Sequence, residues 1–244
     1  MESYEALAAS YDELTEDVSY AARADFVERL LRRSRIPVRT VLDLACGTGT
    51  MTALFERRGY DMIGADASPE MLLRAREKLR PDTLLLCQSM PRLDLYGTVD
   101  GAICCLDSLN YLTDPRDVRR TFERLHLFIA PGGALVFDVH GLAKLEAMDG
   151  QVFLDEREAL YCVWRTEYRR ASRMLDYCVD IFRRQPGGAW ERSTEYHRQR
   201  GYSVEELTEW LYEAGFGGVR TYGDLKLRRP AEDAGRIYFS CIRE

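Results

Sequence analysis

Two periods of apolar residues alternate along the first 140 residues, and they predict a chain of alternating strands and helices. Residues 41–44 form a short apolar run with a β-branched start, as in a strand buried within a parallel sheet. Apolar residues at helical spacing follow in 50–58. The same pattern predicts further strands at 61–65, 83–87, 99–105 and 134–138. This order of elements is typical of an open α/β sheet.

Capping residues mark where the later helices begin. Ser68 and Asp114 each precede a proline, which is the usual start of a helix. Ser203 and Glu206 form a capping box for a helix that ends at Gly215. The pattern also predicts an amphipathic helix over 21–34 and a final pair of strands over 219–227 and 236–243.

The segment 151–200 departs from this α/β pattern. Four apolar residues alternate there with polar ones, as in a half-buried strand: Leu175, Tyr177, Val179 and Ile181. Similar stretches at 160–168 and 190–199 are separated from it by turn residues. We therefore expect a small antiparallel sheet, inserted after the fifth strand of the core. Because both of its ends attach near the carboxyl ends of the core strands, we expect it to form a lid there.

A glycine turn joins the first strand to its helix. Gly47 and Gly49 bracket Thr48 in this turn, and Asp66 follows the second strand. Glycines at this point let the backbone approach a ligand, and an acid in this position can bind both hydroxyls of a ribose. A dinucleotide site needs a third glycine where this chain has Thr52, so the spacing disfavours NAD.

The run Asp43-Leu44-Ala45-Cys46-Gly47-Thr48-Gly49 resembles the first motif of class I S-adenosylmethionine-dependent methyltransferases. That motif usually reads acid-x-Gly-x-Gly-x-Gly, and Ala45 replaces its first glycine. The string CLDSLNYL (105–112) is similar to the corresponding loop of a bacterial, small-molecule-type group within this class. The resemblance implies S-adenosylmethionine as cofactor and S-adenosylhomocysteine as product. It also implies an α/β fold, with a Rossmann-like, mostly parallel sheet of seven strands whose last strand is antiparallel.

The resemblance divides the chain into three parts. Residues 36–150 and 201–244 correspond to the methyltransferase core, and 151–200 to the inserted β lid. Residues 1–35 correspond to a helical segment that covers the cofactor in many small-molecule methyltransferases. The alternative for this segment is a surface helix whose tyrosines pack on the core.

Position by position, the resemblance implies the following cofactor-binding residues: Tyr11, Tyr20, Asp43, Ala45, Gly47, Thr48, Gly49, Asp66, Ala67, Met71, Ser89, Met90, Leu106 and Asp107. Besides Ala45, one further position departs from the family pattern. Ser89 stands where the family often has an acid that accepts from the adenine amino group. Adenine would then be held by the Ser89 hydroxyl or by Met90.

The loop after the fourth strand is the place where we expect the acceptor. Polar side chains beyond the carboxyl ends of strands point into the crevice of an open α/β sheet. We expect Asn110, Tyr111 and His197 to contact the acceptor. No spacing identifies a general base, so the candidates by position are Asp107, Tyr111, His140 and His197. An amine or hydroxyl acceptor must lose a proton, whereas a thiolate need not.

Charge is distributed unevenly along the chain. The net charge is −6, but the lid segment holds ten arginines against eight acidic residues. Along 190–199, Arg192 and Arg198 share one face of the predicted strand, and His197 lies on the other. We hypothesise that one of these faces lines the pocket. The acceptor would then carry an anion, held by an arginine such as Arg165, Arg192 or Arg198.

Composition narrows the remaining possibilities. The seven cysteines have no C-x-x-C spacing and read as small core residues of a cytoplasmic protein, and the three scattered histidines predict no metal site. No apolar run is long enough to span a membrane. We therefore expect a monomer or homodimer that methylates a small molecule at N, O or S, with nucleic acid disfavoured by the acidic charge. The alternatives are an RNA or protein methyltransferase and a non-catalytic cofactor-binding protein.

Overall fold

A central sheet of seven strands organises the protein. The computed structural model describes residues 11–244, so residues 1–10 of the predicted cofactor-covering segment lie outside the described part. The strands of this sheet are β1 (Thr40–Leu44), β2 (Asp61–Asp66), β3 (Leu84–Cys87), β4 (Val99–Cys104), β5 (Ile129–His140), β10 (Phe216–Gly223) and β11 (Arg236–Arg243). Their order across the sheet is β10-β11-β5-β4-β1-β2-β3.

The direction of the strands confirms the predicted fold class. Strands β1 to β5 pair in parallel, whereas β11 runs antiparallel between β5 and β10. Within the sheet, β2 lies on one side of β1 and β4 lies on the other, so the order of the strands reverses at β1. This reversal of strand order opens a crevice beyond the carboxyl ends of β1 and β4, where ligands bind in open α/β sheets.

Helices cover both faces of the sheet. They are α1 (Tyr11–Leu14), α2 (Tyr20–Leu31), α3 (Thr50–Arg57), α4 (Pro69–Lys78), α5 (Pro115–Phe128), α6 (Leu142–Ala147) and α7 (Val204–Glu213), with short 3-10 turns at Met90–Arg92 and Ser108–Tyr111. On one face, Phe137 stacks on Phe239 with ring centroids 4.7 Å apart, beneath α5 and α7. On the other face, Phe26 of α2 packs against Tyr238 at 5.0 Å.

The predicted helix starts are present. The Ser68 hydroxyl accepts from the Met71 amide at 3.2 Å, and Asp114 accepts from the Arg116 amide at 2.9 Å. The capping box is complete, because Ser203 and Glu206 each accept from the other's backbone amide. These bonds satisfy amide groups that the first turn of a helix leaves unpaired.

The inserted segment forms a separate antiparallel sheet in the order β6-β7-β8-β9. Its strands are β6 (Val152–Glu156), β7 (Leu160–Arg169), β8 (Met174–Arg184) and β9 (Trp190–Arg200). The alternating residues Leu175, Tyr177, Val179 and Ile181 are all buried, as the period predicted. They pack together with Leu145 of α6 and with Tyr11 and Leu14 of α1.

Two elements were not predicted, and some bounds differ. Strand β6 carries Val152 and Leu154, which are 57% and 62% exposed, so its residues show no buried face for a pattern to reveal. Helix α6 spans six residues, too few to show a helical period. Strand β5 begins five residues before the predicted 134, and Gly132 within it takes φ +83°. Strand β10 spans Phe216–Gly223, so it begins three residues before the predicted start at 219 and ends four residues before the predicted end at 227.

Candidate active site

The glycine turn leaves bare backbone at the crevice. Ala45, Gly47 and Gly49 have φ values of +59°, +55° and +76°, the left-handed region that favours glycine. A Cβ atom added at Gly47 would meet nothing within 4 Å, so this backbone faces open space. A Cβ at Gly49 would lie 3.0 Å from that of Ala75 in α4. Gly49 therefore serves helix packing, and Gly47 leaves room for a ligand.

Asp66 lies at the carboxyl end of β2, beside this turn. Its two carboxylate oxygens accept from the Gly47 amide at 2.8 Å and from the Ser68 amide at 2.9 Å. Burial raises the pKa of this carboxyl, while the two amide bonds oppose that shift. The amides fix the carboxylate at the mouth of the crevice, where it can still accept from a ligand.

A crevice of about 410 Å³ opens at this place, within the usual size of a small-molecule site. Nine of the predicted cofactor residues line it: Tyr11, Ala45, Gly47, Asp66, Ala67, Met71, Ser89, Met90 and Leu106. Tyr111, predicted for the acceptor, lines it as well. Six further lining residues were not predicted from the sequence: Ser68, Pro69, Glu70, Gln88, Ser108 and Leu112. All except Pro69 adjoin a predicted residue, and Pro69 lies two residues from both Ala67 and Met71, so nearness to a predicted residue was the available signal.

A recess of about 40 Å³ adjoins the crevice and is lined by three further predicted residues: Tyr20, Asp43 and Thr48. Asp43 is only 1% exposed and accepts from the Thr52 hydroxyl at 2.6 Å. Burial raises the pKa of Asp43 to about 7. Asp43 thus supports the glycine turn through its bond to Thr52, which stands where a dinucleotide site has its third glycine.

Helix α1 lies against the glycine turn. Asp12 accepts from the Thr48 hydroxyl at 2.6 Å and pairs with Lys78 of α4 at 2.5 Å. These bonds hold Tyr11 over the crevice, where burial raises the pKa of its phenol well above the usual value. Two residues of the described part of the predicted covering segment thus line the crevice or its recess, Tyr11 and Tyr20. That the segment covers the cofactor stays a prediction.

The turn after β4 is held by a buried network of charges. Leu106 and Asp107 both take left-handed conformations, with φ values of +60° and +53°. Two successive residues of this kind point their amides the same way and form an anion nest. The Asp138 carboxylate occupies it, accepting from these amides at 2.9 and 3.0 Å. Arg236 of β11 pairs with Asp138 and so completes the network.

The Asp107 side chain is bound on several sides. It accepts from Arg236 at 2.6 Å and from Gln199 of the lid at 2.8 Å, and it lies 3.2 Å from His140 Nε2. Burial alone would raise the pKa of Asp107, but His140 and Arg236 outweigh it and hold that pKa well below its usual range. A carboxylate that binds protons so weakly is a poor general base.

Asn110 and Tyr111 differ in where they point. The Asn110 amide donates to the Arg200 carbonyl of β9 at 2.7 Å, and its oxygen accepts from the His140 amide at 3.0 Å. Asn110 is fully buried by these bonds and ties the loop to the lid. Tyr111 faces the crevice, and its ring lies edge-on to that of His197 with centroids 6.0 Å apart.

The structure shows which face of β9 points inward. Glu195, His197 and Gln199 are buried on the inner face. The predicted arginines Arg165, Arg192 and Arg198 lie on the outer face, with side chains 47%, 57% and 57% exposed, and pair there with carboxylates of β8. The hypothesis that these arginines hold an anionic acceptor in the pocket is therefore wrong.

Two further observations concern the described residues. Between Tyr11 and Glu244, no group of three or more His, Cys, Asp or Glu side chains is placed to hold a metal ion. No helix in the same range is long and apolar enough to cross a membrane.

Comparison with known proteins places this geometry in a family. Residues 41–133 match the family model described as a methyltransferase domain. The putative methyltransferase YqeM of Bacillus subtilis (strain 168) is 32% identical over 97% of this chain and 95% of its own length. The chain belongs to the class I S-adenosylmethionine-dependent methyltransferases. A crystal structure of a family member from Clostridium acetobutylicum ATCC 824 has a TM-score of 0.87 at 24% identity, covering 98% of both chains, and shows the same fold.

A relative with a named acceptor is similar over a shorter length, and a second solved structure is similar over its whole length. The glycine/sarcosine N-methyltransferase of Parasynechococcus marenigrum (strain WH8102) is 34% identical over 84% of this chain and 72% of its own length. The structure of DesVI of Streptomyces venezuelae has a TM-score of 0.83 at 22% identity, covering 100% of both chains. At that identity the likeness shows the fold alone.

S-adenosylmethionine is the cofactor of this methyltransferase, and the residues of the crevice fit it. The bare Gly47 backbone leaves room that a side chain would fill. The Asp66 carboxylate lies at the crevice beside it and can accept from ribose hydroxyls. Bound there, the cofactor supplies a methyl carbon attached to a positively charged sulfur.

Proposed function

We propose that this methyltransferase acts on a small molecule held between the crevice and the lid. The observation that carries the proposal is the position of the lid, whose residue Gln199 bonds to Asp107 beside the crevice wall. Two relatives add support, because one is a glycine/sarcosine N-methyltransferase and the other is a dTDP-amino-sugar N,N-dimethyltransferase.

We assign the cofactor's parts to residues by their place along the crevice. Asp66 accepts from the ribose hydroxyls, and Gly47 leaves its backbone open beside them. Ser89 and Met90, after β3, contact adenine together with Gln88. Tyr11 and Tyr20 border the recess next to Gly47, and their aromatic faces stabilise a nearby cation such as the sulfonium.

The protein's contribution to methyl transfer is positioning and removal of water. An in-line displacement needs the acceptor atom, methyl carbon and sulfur on one line, and holding that geometry supplies much of the rate. The Asp107–Arg236–Asp138 network fixes the loop that carries Tyr111. Helix α1 and the lid then exclude water from the acceptor.

Calorimetry tests the proposal directly. We expect S-adenosylmethionine and S-adenosylhomocysteine to bind and NAD to give no heat of binding. Mass spectrometry of reactions with small amines, alcohols and thiols, and with total RNA and protein as further arms, then identifies the acceptor class. Methyl groups transferred to RNA or protein alone would contradict a small-molecule acceptor. Binding of NAD in place of the adenosyl compounds would contradict the enzyme assignment.

A further inference from the structure

Large apolar side chains are exposed along one edge of the lid. The lid sheet has the order β6-β7-β8-β9, so β6 has a neighbouring strand on only one side among residues 11–244. Val152, Phe153 and Leu154 of this strand are 57%, 43% and 62% exposed. Single exposed apolar residues are common on proteins, but three in succession on an edge strand form a surface to which another strand can pair.

The opposite edge of the lid is protected against such pairing. Charged side chains on an edge strand discourage the addition of another strand. Strand β9 carries five of them along its length: Glu191, Arg192, Glu195, Arg198 and Arg200. Strand β6 carries charges only at its last two positions, Asp155 and Glu156. The two edges of the lid therefore differ in their capacity to accept a partner strand.

The hydrogen bonds between β6 and β7 show which backbone groups of β6 face the open edge. The Arg157 amide, just after β6, donates to the Leu160 carbonyl of β7 at 2.7 Å. In an antiparallel pair, every second residue exchanges hydrogen bonds with the partner strand. The odd-numbered residues of β6 therefore bond to β7. The amides and carbonyls of Val152, Leu154 and Glu156 point away from β7, toward the open edge.

We propose that β6 pairs with β6 of a second copy of this chain, antiparallel and about a two-fold axis at Leu154. Leu154 of one copy then lies opposite Leu154 of the other, and Val152 lies opposite Glu156. All five residues of β6 are paired in this arrangement, and the two lids of four strands each join into one sheet. A two-fold contact closes on itself, because the same patch serves both partners. The inference rests on the lid alone and is independent of the proposed function.

Charge selects this register over its neighbours. Only residues whose backbone groups point outward can bond across the new contact, so the register shifts only in steps of two residues. A shift in one direction places Asp155 opposite Asp155, and a further step places Glu156 opposite Glu156. Like charges directly opposite each other destabilise a sheet. In the register centred on Leu154, both acids lie opposite apolar residues.

Backbone conformation disfavours a shift in the other direction. Such a shift would place Gly150 opposite Glu156. Gly150 has a φ of +65°, in the left-handed region, so the extended strand cannot continue through it. Fewer residues of β6 would then be paired. The register centred on Leu154 thus gives the longest pairing without like charges opposite each other.

The size of the contact sets the expected strength of the association. Stable protein interfaces use about 20–30 residues a side. Strand β6 offers five residues, so its affinity would come mainly from main-chain hydrogen bonds, as in other cases of strand addition. We therefore expect a reversible dimer, with monomer predominant at about 1 µM and dimer predominant at about 300 µM.

Sedimentation velocity of the full chain over this concentration range measures the association. Leu154→Lys places two positive charges opposite each other at the two-fold axis, so this variant should stay monomeric throughout. Leu127→Lys is the matched control, because Leu127 is 52% exposed on helix α5 of the core. The control should dimerise like the parent. Circular dichroism checks that both variants fold.

Disulfide trapping tests the register. Cys87→Ser and Cys178→Ser first remove the two cysteines that are not buried. In that background, Leu154→Cys places the two introduced thiols opposite each other, with Cα atoms about 5.5 Å apart, within the span of a disulfide. Val152→Cys, at a similarly exposed position, leaves its two thiols four residues apart along the strands, about 13 Å. With oxygen and copper phenanthroline, we expect covalent dimer from Leu154→Cys and none from Val152→Cys.

Several results would overturn the inference. The parent could stay monomeric up to about 300 µM, or Leu154→Lys could associate like the parent. Loss of association in Leu127→Lys as well would show a general effect of added charge. Cross-linking of Val152→Cys as readily as Leu154→Cys, or no cross-linking of Leu154→Cys, would contradict the two-fold axis at Leu154. None of these measurements needs the cofactor, so failure of the proposed function would not affect them.

Discussion

At the scale of single residues, two carboxylates on neighbouring strands have different roles because their surroundings differ. Asp66 ends β2 at the crevice, and two backbone amides orient its carboxylate. Asp43 lies in β1, almost wholly buried, and accepts from the Thr52 hydroxyl. The two side chains are chemically identical. The first is placed to bind a ligand, and the second supports the turn that binds it.

Replacing Asp66 by Ala tests the ribose assignment. The variant loses hydrogen bonds between a charged group and the ribose, worth roughly 1.5–3 kcal/mol, so affinity for S-adenosylhomocysteine should fall about tenfold to a hundredfold. Asp61→Ala at the exposed start of the same strand is the control and should bind like the parent. Calorimetry measures both constants. An unchanged dissociation constant for Asp66→Ala would contradict the ribose assignment.

Burial of Asp43 makes stability depend on pH. Its pKa is raised to about 7 in the folded protein, above the value of about 3.9 for an unfolded chain. The folded state therefore binds the extra proton between these values, so this residue's contribution to stability is greatest at low pH and is lost as pH rises toward 7. Asn at position 43 cannot ionise.

Lowering the pH from 8 to 5 should thus stabilise the parent relative to Asp43→Asn by about 1–3 kcal/mol. Urea unfolding at each pH measures the difference in the free energy of unfolding. Asp61→Asn is the matched control, because Asp61 is exposed. Parallel pH profiles for the parent and Asp43→Asn would show that Asp43 ionises normally in the folded protein.

At the scale of elements, helix α1 spans four residues and depends on its contacts. Asp12 joins it to the glycine turn through Thr48 and to α4 through Lys78. Because the Asp12 side chain is 46% exposed, water weakens this ion pair. The contact should still slow the departure of the cofactor.

Asp12→Ala should therefore speed dissociation of S-adenosylhomocysteine by about threefold to tenfold, since one partly exposed charged contact is worth about 1 kcal/mol. Stopped-flow displacement measures the rate. Glu13→Ala, a change in the neighbouring residue of the same helix, is the control. Equal dissociation rates for both variants and the parent would mean that α1 does not retain the cofactor.

The lid shows what a sequence pattern can predict about burial and what it cannot. Alternation along β8 predicted correctly that Leu175 and its partners are buried, because one apolar face must be covered. On β9 both faces carry polar residues, so the pattern defined two faces without showing which one points inward. The outcome depends on Asp176 and Asp180 of β8, which pair with arginines on the outer face. A single sequence does not show which residues pair across neighbouring strands.

The core sheet and most residues that line the crevice could be predicted for a physical reason. The glycine turn and Asp66 follow local rules of strand ends and turns, and these rules act within about 20 residues along the chain. Arg236 could not be found in this way. It lies 129 residues from Asp107 in sequence, and only the antiparallel entry of β11 beside β5 brings the two together.

At the scale of the whole molecule, Arg236 joins parts of the chain that are far apart in sequence. Its guanidinium binds Asp107 after β4 and Asp138 in β5, and Asp107 in turn binds Gln199 of the lid. The Arg236 side chain is 13% exposed, so its removal leaves two buried carboxylates with less compensating charge. Loss of one partner from a buried ionic network typically costs about 3–5 kcal/mol.

Arg236→Met should therefore lower the free energy of unfolding at pH 7.5 by about 3–5 kcal/mol, measured by urea unfolding. Arg220→Met, on the exposed side of β10, should change it by less than about 0.5 kcal/mol. The parent holds the pKa of Asp107 below its unfolded value, so that residue's stabilising contribution is present at neutral pH and is lost as the pH falls into the acid range. The gap between parent and Arg236→Met should accordingly stay nearly constant from pH 7.5 to about pH 4 and narrow as the pH falls below the unfolded pKa of about 3.9. A gap that stays constant even below that pKa, or a loss no larger than that of Arg220→Met, would show that the network does not hold the core and the lid together.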